Sequence, residues 1–566
     1  MEIEKRGISQ VVFGFLPHQT VDLRNRTWKV RRWSNPTYVP IDQDSVHEEL
    51  LHAVSPWSRL QLDNELAANL RRGMTVHFVT PSSSGVEVEA FPKLFKCRAC
   101  SRLEKSDEKS CRCGAKLWAA FPFVSYHSCG LLREPYVDVC ASHRQVRVNN
   151  PRSNNARDLR FSCPICNAEV QKGFRWLSCE CGNGTIDYNI HRAGTVYNPH
   201  CAVIVNPPSE QLAREMRGKA ARINALDWVL DGMHEEGQLR HRLTLDGLIE
   251  MFIGNGISAE TARKMAQAAA AEGDGRLSSG DELPLTEEAI ERGTSAALKI
   301  VYATAGGRTD LNELRKRATP SVAELYNTKY PSAISGARLE GVELLDDFPV
   351  LTAYFGYTRG DNRLTQSRLR WYKDESGNLQ MHGLRAHTEA LLFRLDPVLL
   401  AMWMHKRGFL SETPRSPREA RLTLLERCSP PEPGDEPDLK TSGHVLFTLV
   451  HSYSHRMMRM MSSFAGIDRD ALAEYIVPAH LAFIIYARST SDFVLGGLQA
   501  LYENDLHNAL GEFSRAEGRC PLDPGCLHSG GACMACLHVG EPSCRHFNRF
   551  LTREVLLGEN GYLGTR

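Results

Sequence analysis

No apolar stretch in the 566 residues approaches the roughly 18 needed to span a bilayer. The best run, Val477 to Ala487, is broken by Pro478 and His480. The opening residues, MEIEKRGISQ, lack the basic-then-apolar order of a signal peptide, so a cytoplasmic protein with no membrane partner is expected. There is no excess of charge: 68 Lys and Arg stand against 67 Asp and Glu, for a net +1, so any contact with nucleic acid must use local patches. The nucleotide-binding signatures are missing too. Gly218-Lys219 has neither the upstream glycine nor the following Ser/Thr of a phosphate loop. Gly254-x-Gly256 sits in helical sequence, and no GxSxG occurs. Two metalloenzyme near-misses fail on geometry. In His47-Glu-Glu-Leu-Leu-His52 the second histidine is at i+5 and leaves the helical face that i and i+4 share; His47-x-Glu49 is not followed by P-C-x-x-C. The chain therefore reads as having no motor and no recognised catalytic centre, that is, as non-enzymatic.

With 42% hydrophobic and 24% charged residues the composition is that of a folded globular chain, and the length suggests several domains. The patterns indicate a mixed α+β, multi-domain protein. Residues 1–90 form an α/β segment with strands at VVFGFL and TVHFVT and a helix through Trp57, Leu60, Leu62, Leu66 and Leu70. Residues 91–205 are a cysteine block, and 206–330 are helical. Pro208-Ser209 opens one helix through Leu212, Met216, Ile223 and Trp228, and Ser258 caps another. Residues 331–428 are mixed, 429–443 read as a linker rich in Pro and acidic residues, and 444–566 form a C-terminal α/β domain with a second cysteine cluster.

Cysteine is what the chain has in plenty. Of 17, eleven lie between Cys97 and Cys201, five between Cys520 and Cys544, and Cys428 stands alone. In a large chain without an export signal, CxxC and CxC pairs point to metal thiolates rather than disulfides. The first block contains a repeat. Cys97-x2-Cys100 with Cys111-x-Cys113 recurs as Cys163-x2-Cys166 with Cys179-x-Cys181, at offsets of 66, 66, 68 and 68 residues. Each unit offers four thiolates on two tight knuckles, the donor set of a tetrahedral zinc ribbon. Between the units, His127-x-Cys129 and Cys140-x2-His143 suggest a third site of mixed ligands. Cys201 has no obvious partner. At the C-terminus five cysteines compete for four places, and the tighter choice is Cys526, Cys533, Cys536 and Cys544, leaving Cys520 spare. Three to four zinc ions per chain are expected, all in closed, structural sites. After Ser442, His444, His451 and His455 fall on one helical face, opposite an apolar stripe of Leu446, Leu449, Tyr453, Met457, Met460 and Phe464; they read as a polar contact face rather than as ligands.

Candidate nucleic-acid contacts come from basic residues interleaved with aromatics: Arg24, Arg26, Trp28, Lys29, Arg31, Arg32 and Trp33, and again Arg359, Arg363, Arg368, Arg370, Trp371, Tyr372 and Lys373. The guanidinium groups would track phosphates while Trp28 and Trp371 stack on bases. Phe91 to Gly182 carries 16 Lys/Arg against 8 Asp/Glu, an excess that persists after about −2 is counted for each four-thiolate zinc.

The C-terminal order VLFTLVHSYSHRM, LAFIIYARSTSDFVLGGLQALYE, Cys526…Cys533-x2-Cys536…Cys544 and Asn548-x2-Leu551-x-Arg553 resembles a domain of unknown function that terminates many zinc-containing DNA helicases. Thr552 stands where that domain has an acidic residue. Together with FxxLFxCxxC (Phe91–Cys100), CxCG (Cys111–Gly114), FVxxHxCG (Phe123–Gly130) and Cys140-x2-His143, it is similar to the DrmB family of DISARM anti-phage systems. The resemblance covers about 90–200 and 440–555. It implies a zinc-containing partner of a superfamily-2 helicase (DrmA-like) that helps engage invading DNA. The residues leave open a second class, a metal-dependent nuclease or hydrolase using carboxylates near Leu345-Asp346-Asp347.

Overall fold

The computed structural model describes residues 2–564 except 25, 106–109, 150–155, 235–248, 250–251, 254–256, 273–282, 361–366, 433–434, 489–495, 516–518, 541–542, 545 and 547, and the side chains of 267–272. The chain divides into two units, one of residues 1–207 with 351–385, the other of 208–350 with 386–566. Helices and several separate sheets make it a mixed α/β protein. Among the described residues no helix is long and apolar enough to cross a membrane.

In the first unit a four-stranded antiparallel sheet orders Glu2–Glu4, Val86–Ala90, Arg26–Trp33 and Thr20–Leu23. Val86, Val88, Val30, Val21 and Leu23 form its buried face, with Trp28 and Trp33. A bulge between Val30 and Arg32 breaks the alternation of the strand, so both indoles, five residues apart, turn inward. The helical pattern expected through Trp57–Leu70 is two helices, Gln43–Ser58, capped by the Asp42 carboxylate on the Ser45 N–H, and Leu66–Arg71. Gln61, Asn64 and Glu65 adopt positive φ between them and stop the first helix. Val46, Leu50, Val54 and Trp57 pack on Val76, Phe78 and Met381.

The cysteine block builds three small three-stranded sheets. Phe95–Cys97 lies between Leu103–Glu104 and Trp118–Ala120; Arg160–Ser162 lies between Arg147–Asn149 and Glu169–Lys172. The remaining sheet joins residues far apart in sequence: Phe123–Tyr126 pairs with Leu132–Arg133 on one side and with Asp187–Ile190 on the other, Phe123 opposite Ile190 and Tyr126 opposite Asp187.

The second unit packs the long helix Ser442–Ala465 against strands Leu472–Val477 and Ala482–Ala487, the latter buried at every residue, with residues 390–394 antiparallel to Ala482–Tyr486. The helices expected in 206–330 are present as Glu210–Glu215, Lys219–Leu230, Ala259–Glu272, Glu287–Thr304 and Leu311–Arg317; Met216–Gly218 breaks the one expected to run through Trp228. Residues 429–443 do not divide domains. Leu339, Phe393, Leu400 and Leu424 share one core with Val445, Leu449 and Tyr453. A Cβ at Gly443 would lie 1.6 Å from the Ser429 carbonyl oxygen, so glycine is required where the loop closes on the helix.

A buried ion network crosses this unit. Arg394 donates to Glu343 at 2.7 and 3.0 Å and to Glu340 at 2.6 Å; Arg308 reaches Glu343 at 3.4 Å, and Arg421 completes the set on Glu340. Removing one carboxylate from such a network strands buried guanidinium groups. Glu343→Ala is therefore expected to lose about 3–5 kcal/mol in denaturant-induced unfolding, against under about 1 kcal/mol for the exposed pair partner Glu313→Ala.

Candidate metal centres

Four cysteine-rich sets converge, each with donor atoms within 4.8 Å of one another. A zinc ion with Zn–S about 2.3 Å and Zn–N about 2.0–2.1 Å demands tetrahedral edges of about 3.8 Å between sulfurs and about 3.6 Å between sulfur and nitrogen. The observed distances can be judged against those lengths.

Cys97, Cys100, Cys111 and Cys113 form the first set, as the sequence indicates, with Sγ–Sγ distances of 3.7 Å (Cys97–Cys113) and 3.5 Å (Cys100–Cys111). Each knuckle is a turn closed by the backbone: Ser101, at φ 62, donates to the Cys97 carbonyl, and Gly114, at φ 86, donates to that of Cys111.

The second and third sets correct the ligand assignment made from spacing. The donor atoms of Cys163, Cys166, Cys179 and Cys181 do not converge on one point, nor do those of His127, Cys129, Cys140 and His143. Instead His127 and Cys129 meet Cys179 and Cys181, with Cys129–Cys179 at 3.7 Å and His127 Nδ1–Cys181 Sγ at 3.5 Å. Cys140 and His143 meet Cys163 and Cys166; His143 Nδ1 lies 3.6 Å from Cys140 and 3.5 Å from Cys163, and Cys140–Cys166 is 4.0 Å. The cause is strand pairing. Antiparallel registration of Phe123–Tyr126 on Asp187–Ile190 carries the His127 knuckle to the Cys179 knuckle, and the third site is nested in the intervening chain. The His143 backbone N–H directed at the Cys140 sulfur helps to lower that thiol toward the thiolate.

The C-terminal set is Cys520, Cys526, Cys533 and Cys536, with three Sγ–Sγ distances of 3.6 Å. Cys520 is thus a member and Cys544 is not. Arg553 explains the closing motif. It clamps Asp523 at 2.6 and 3.1 Å, and Asp523 accepts the Cys520 N–H at 2.8 Å, fixing that knuckle. Asn548 makes two hydrogen bonds, 2.9 and 3.0 Å, to the backbone of Val539. Arg459 donates to the carbonyls of Met534, Ala535 and His538, placing a cation beside the thiolates. Cys544 turns away to His451, His455 and Glu474; both histidines, expected on a polar contact face, are fully buried, and Cys201 and Cys428 belong to none of the sets. His444 stands apart, 3.6 Å from Asp435.

The anticipated nucleic-acid residues fare differently. Trp28 and Trp371 are buried, their indole N–H groups donating to the carbonyls of Leu23 and Asn64, and neither offers a face to a base. Arg24 pairs with Glu4, Arg31 with Glu89 and Arg32 with Glu87, while Arg26 lies over the Phe95 ring. Arg359 is buried, its guanidinium spent on the carbonyls of Gly130, Val196 and His18 and set against the stacked rings of Tyr197 and Tyr357. Arg370 packs its stem on Gly130, the Arg368 N–H donates to Ser128, and Arg363 lies outside the described residues. Another basic–aromatic surface is exposed, on the cysteine block: Trp176, 71% exposed, lies under Arg157 at 5.3 Å, and its neighbour Arg175, paired with Asp138 at 2.6 Å, covers the exposed Tyr136 at 5.6 Å. Asp346 and Asp347 are consecutive on the strand Leu339–Thr358 and engage different partners, Thr309 and His387. Adjacent strand residues project from opposite faces, so this pair does not converge on one ion.

A family model described as "Domain of unknown function (DUF8724)" matches residues 7–197, the stretch that holds the first three sets. The chain is 23% identical over 203 residues to "DISARM protein DrmB" of Bacillus paralicheniformis, a match covering 34% of this chain and 35% of that protein. It thus spans about a third of the length of the curated relative it matches, a distant likeness to a DISARM protein.

Cys520→Ser and Cys533→Ser are expected to be equally damaging, each releasing one zinc and exposing the remaining three thiols to alkylation, because a structural zinc contributes on the order of 10 kcal/mol of apparent binding energy. Cys544→Ser should leave Cys520, Cys526, Cys533 and Cys536 shielded. Mass spectrometry after iodoacetamide treatment reads both results; shielding lost in Cys544→Ser but kept in Cys520→Ser would reverse the assignment.

Proposed function

We propose that this chain is a zinc-braced, non-catalytic partner of a superfamily-2 DNA helicase in a DISARM-like anti-phage system, supplying a nucleic-acid contact and an assembly surface. Its likeness to DISARM protein DrmB supports the setting. The observation that carries the binding role is the exposed ridge of Tyr136, Arg157, Arg175 and Trp176. Trp176 keeps 71% of its surface in solvent while a guanidinium covers one part of its ring. It is the pairing that contacts a single strand, arginine on phosphate and ring on base. Closed four-ligand sites hold the block rigid and leave no coordination position for substrate, so the metals serve shape rather than chemistry.

Binding of the full chain to labelled single-stranded DNA should be insensitive to sequence and fall steeply with salt. Trp176→Ala should weaken it by about 1–3 kcal/mol, roughly 5- to 150-fold, and more for single strands than for duplex. Trp28 and Trp371 serve as buried contrasts, whose loss should lower stability first. Wild-type DNA affinity in Trp176→Ala, with retention of the helicase in a pull-down, would remove the DNA role and leave only the assembly role.

A further inference from the structure

His451 and His455 stand one turn apart on the long helix Ser442–Ala465, Glu474 is on the strand Leu472–Val477, and Cys544 follows in the C-terminal segment. All four are at most 4% exposed. Each imidazole presents its Nδ1 to a backbone carbonyl, His451 to Phe550 at 3.3 Å and His455 to Leu537 at 2.9 Å. A carbonyl only accepts, so both Nδ1 atoms carry protons, and in the neutral rings both Nε2 atoms are bare lone pairs. Those two lone pairs point at one spot. His451 Nε2 is 2.9 Å from Glu474 Oε1 and 3.3 Å from Cys544 Sγ; His455 Nε2 is 3.1 Å from the same carboxylate oxygen. Two bare imidazole nitrogens and a carboxylate oxygen thus face one another in the core around one thiol, and the second carboxylate oxygen, Glu474 Oε2, is buried with no hydrogen-bond partner. Such an arrangement is unfavourable unless positive charge sits at the centre.

We infer that His451, His455, Glu474 and Cys544 form a fifth metal site, built for a divalent transition ion of the zinc type with two imidazoles, one carboxylate and one thiolate. Nδ1–H donated to a backbone carbonyl is the outer-shell contact that orients a metal-binding histidine through Nε2. The charge sum fits the location. A carboxylate and a thiolate neutralise a dication, so this site is uncharged when filled, whereas a four-thiolate zinc carries about −2 and a three-thiolate zinc about −1. The competing arrangement pairs two imidazolium rings with the same carboxylate and thiolate; its charges also sum to zero, but it sets two cations with ring centroids 4.5 Å apart in the core. With no open position and all four donors buried, the ion would fasten the helix, the strand and the C-terminal segment together. The Leu537 carbonyl that orients His455 follows directly on Cys536, and the Leu537 N–H donates to Cys533, so the fourth and fifth sites share a support.

The full-length chain reconstituted with 113Cd²⁺ tests this without any variant. The expected result is five cadmium ions per chain and resonances in three classes: two from four-thiolate sites, two from three-thiolate, one-imidazole sites, and one strongly shielded resonance correlated to ring protons of both His451 and His455. Glu474→Gln should remove or shift that fifth resonance and leave the other four in place. Four ions and four resonances, with the His451 and His455 rings showing protonated Nε2 in 15N spectra, would overturn the proposal in favour of a buried ion cluster. A fifth resonance unmoved by Glu474→Gln and uncorrelated with these rings would overturn it equally.

Discussion

The antiparallel pairing of Phe123–Tyr126 with Asp187–Ile190 is the constraint on which the N-terminal metal architecture rests. It joins segments some sixty residues apart, and closing so long a loop costs entropy that two short strands cannot repay alone. An ion bound by the converging His127, Cys129, Cys179 and Cys181 would close the same loop just beyond the paired strands, so that strand pairing and ligation would stabilise each other. The chain between must then fold back on itself, and the nested set of Cys140, His143, Cys163 and Cys166, with the core of Val146, Val148 and Phe161, holds it there.

The sets differ in depth. The three sulfur-rich sets of the N-terminal block each keep one cysteine at the surface, Cys113 in the first, Cys181 in the second and Cys166 in the third. The C-terminal four-thiolate site is more enclosed and has Arg459 and Arg553 beside it. The set of His451, His455, Glu474 and Cys544 lies entirely in the core, where burial is least costly for a group whose charges balance. The same economy appears at Arg359, buried only because three carbonyls and two tyrosine rings receive it.

Much of this was legible in the residues. The knuckles were, because CxxC and CxC impose their turns locally. The long helix after Ser442, the strand within LAFIIYAR and the helices Lys219–Leu230, Ala259–Glu272 and Glu287–Thr304 followed from periodicity. Which knuckles join was not legible, because two matched CxxC-CxC units satisfy the spacing rule equally well in either pairing and only the long-range strand register chooses. Glu474 was invisible as a ligand, a lone acidic residue in an apolar strand. Cys544 was misassigned because five cysteines fit four places in more than one way. Trp28 and Trp33 were misjudged for a local reason: at a spacing of five on a regular strand one of them must face out, and the bulge at Val30–Arg32 turns both in. Exposed Trp176, by contrast, carried no periodic signal at all.

The most direct test of the ligand exchange between knuckles is an anomalous difference map recorded at the zinc absorption edge from crystals of the full chain. The account predicts a peak enclosed by His127, Cys129, Cys179 and Cys181, and another enclosed by Cys140, His143, Cys163 and Cys166. A single peak surrounded by Cys163, Cys166, Cys179 and Cys181 would contradict it.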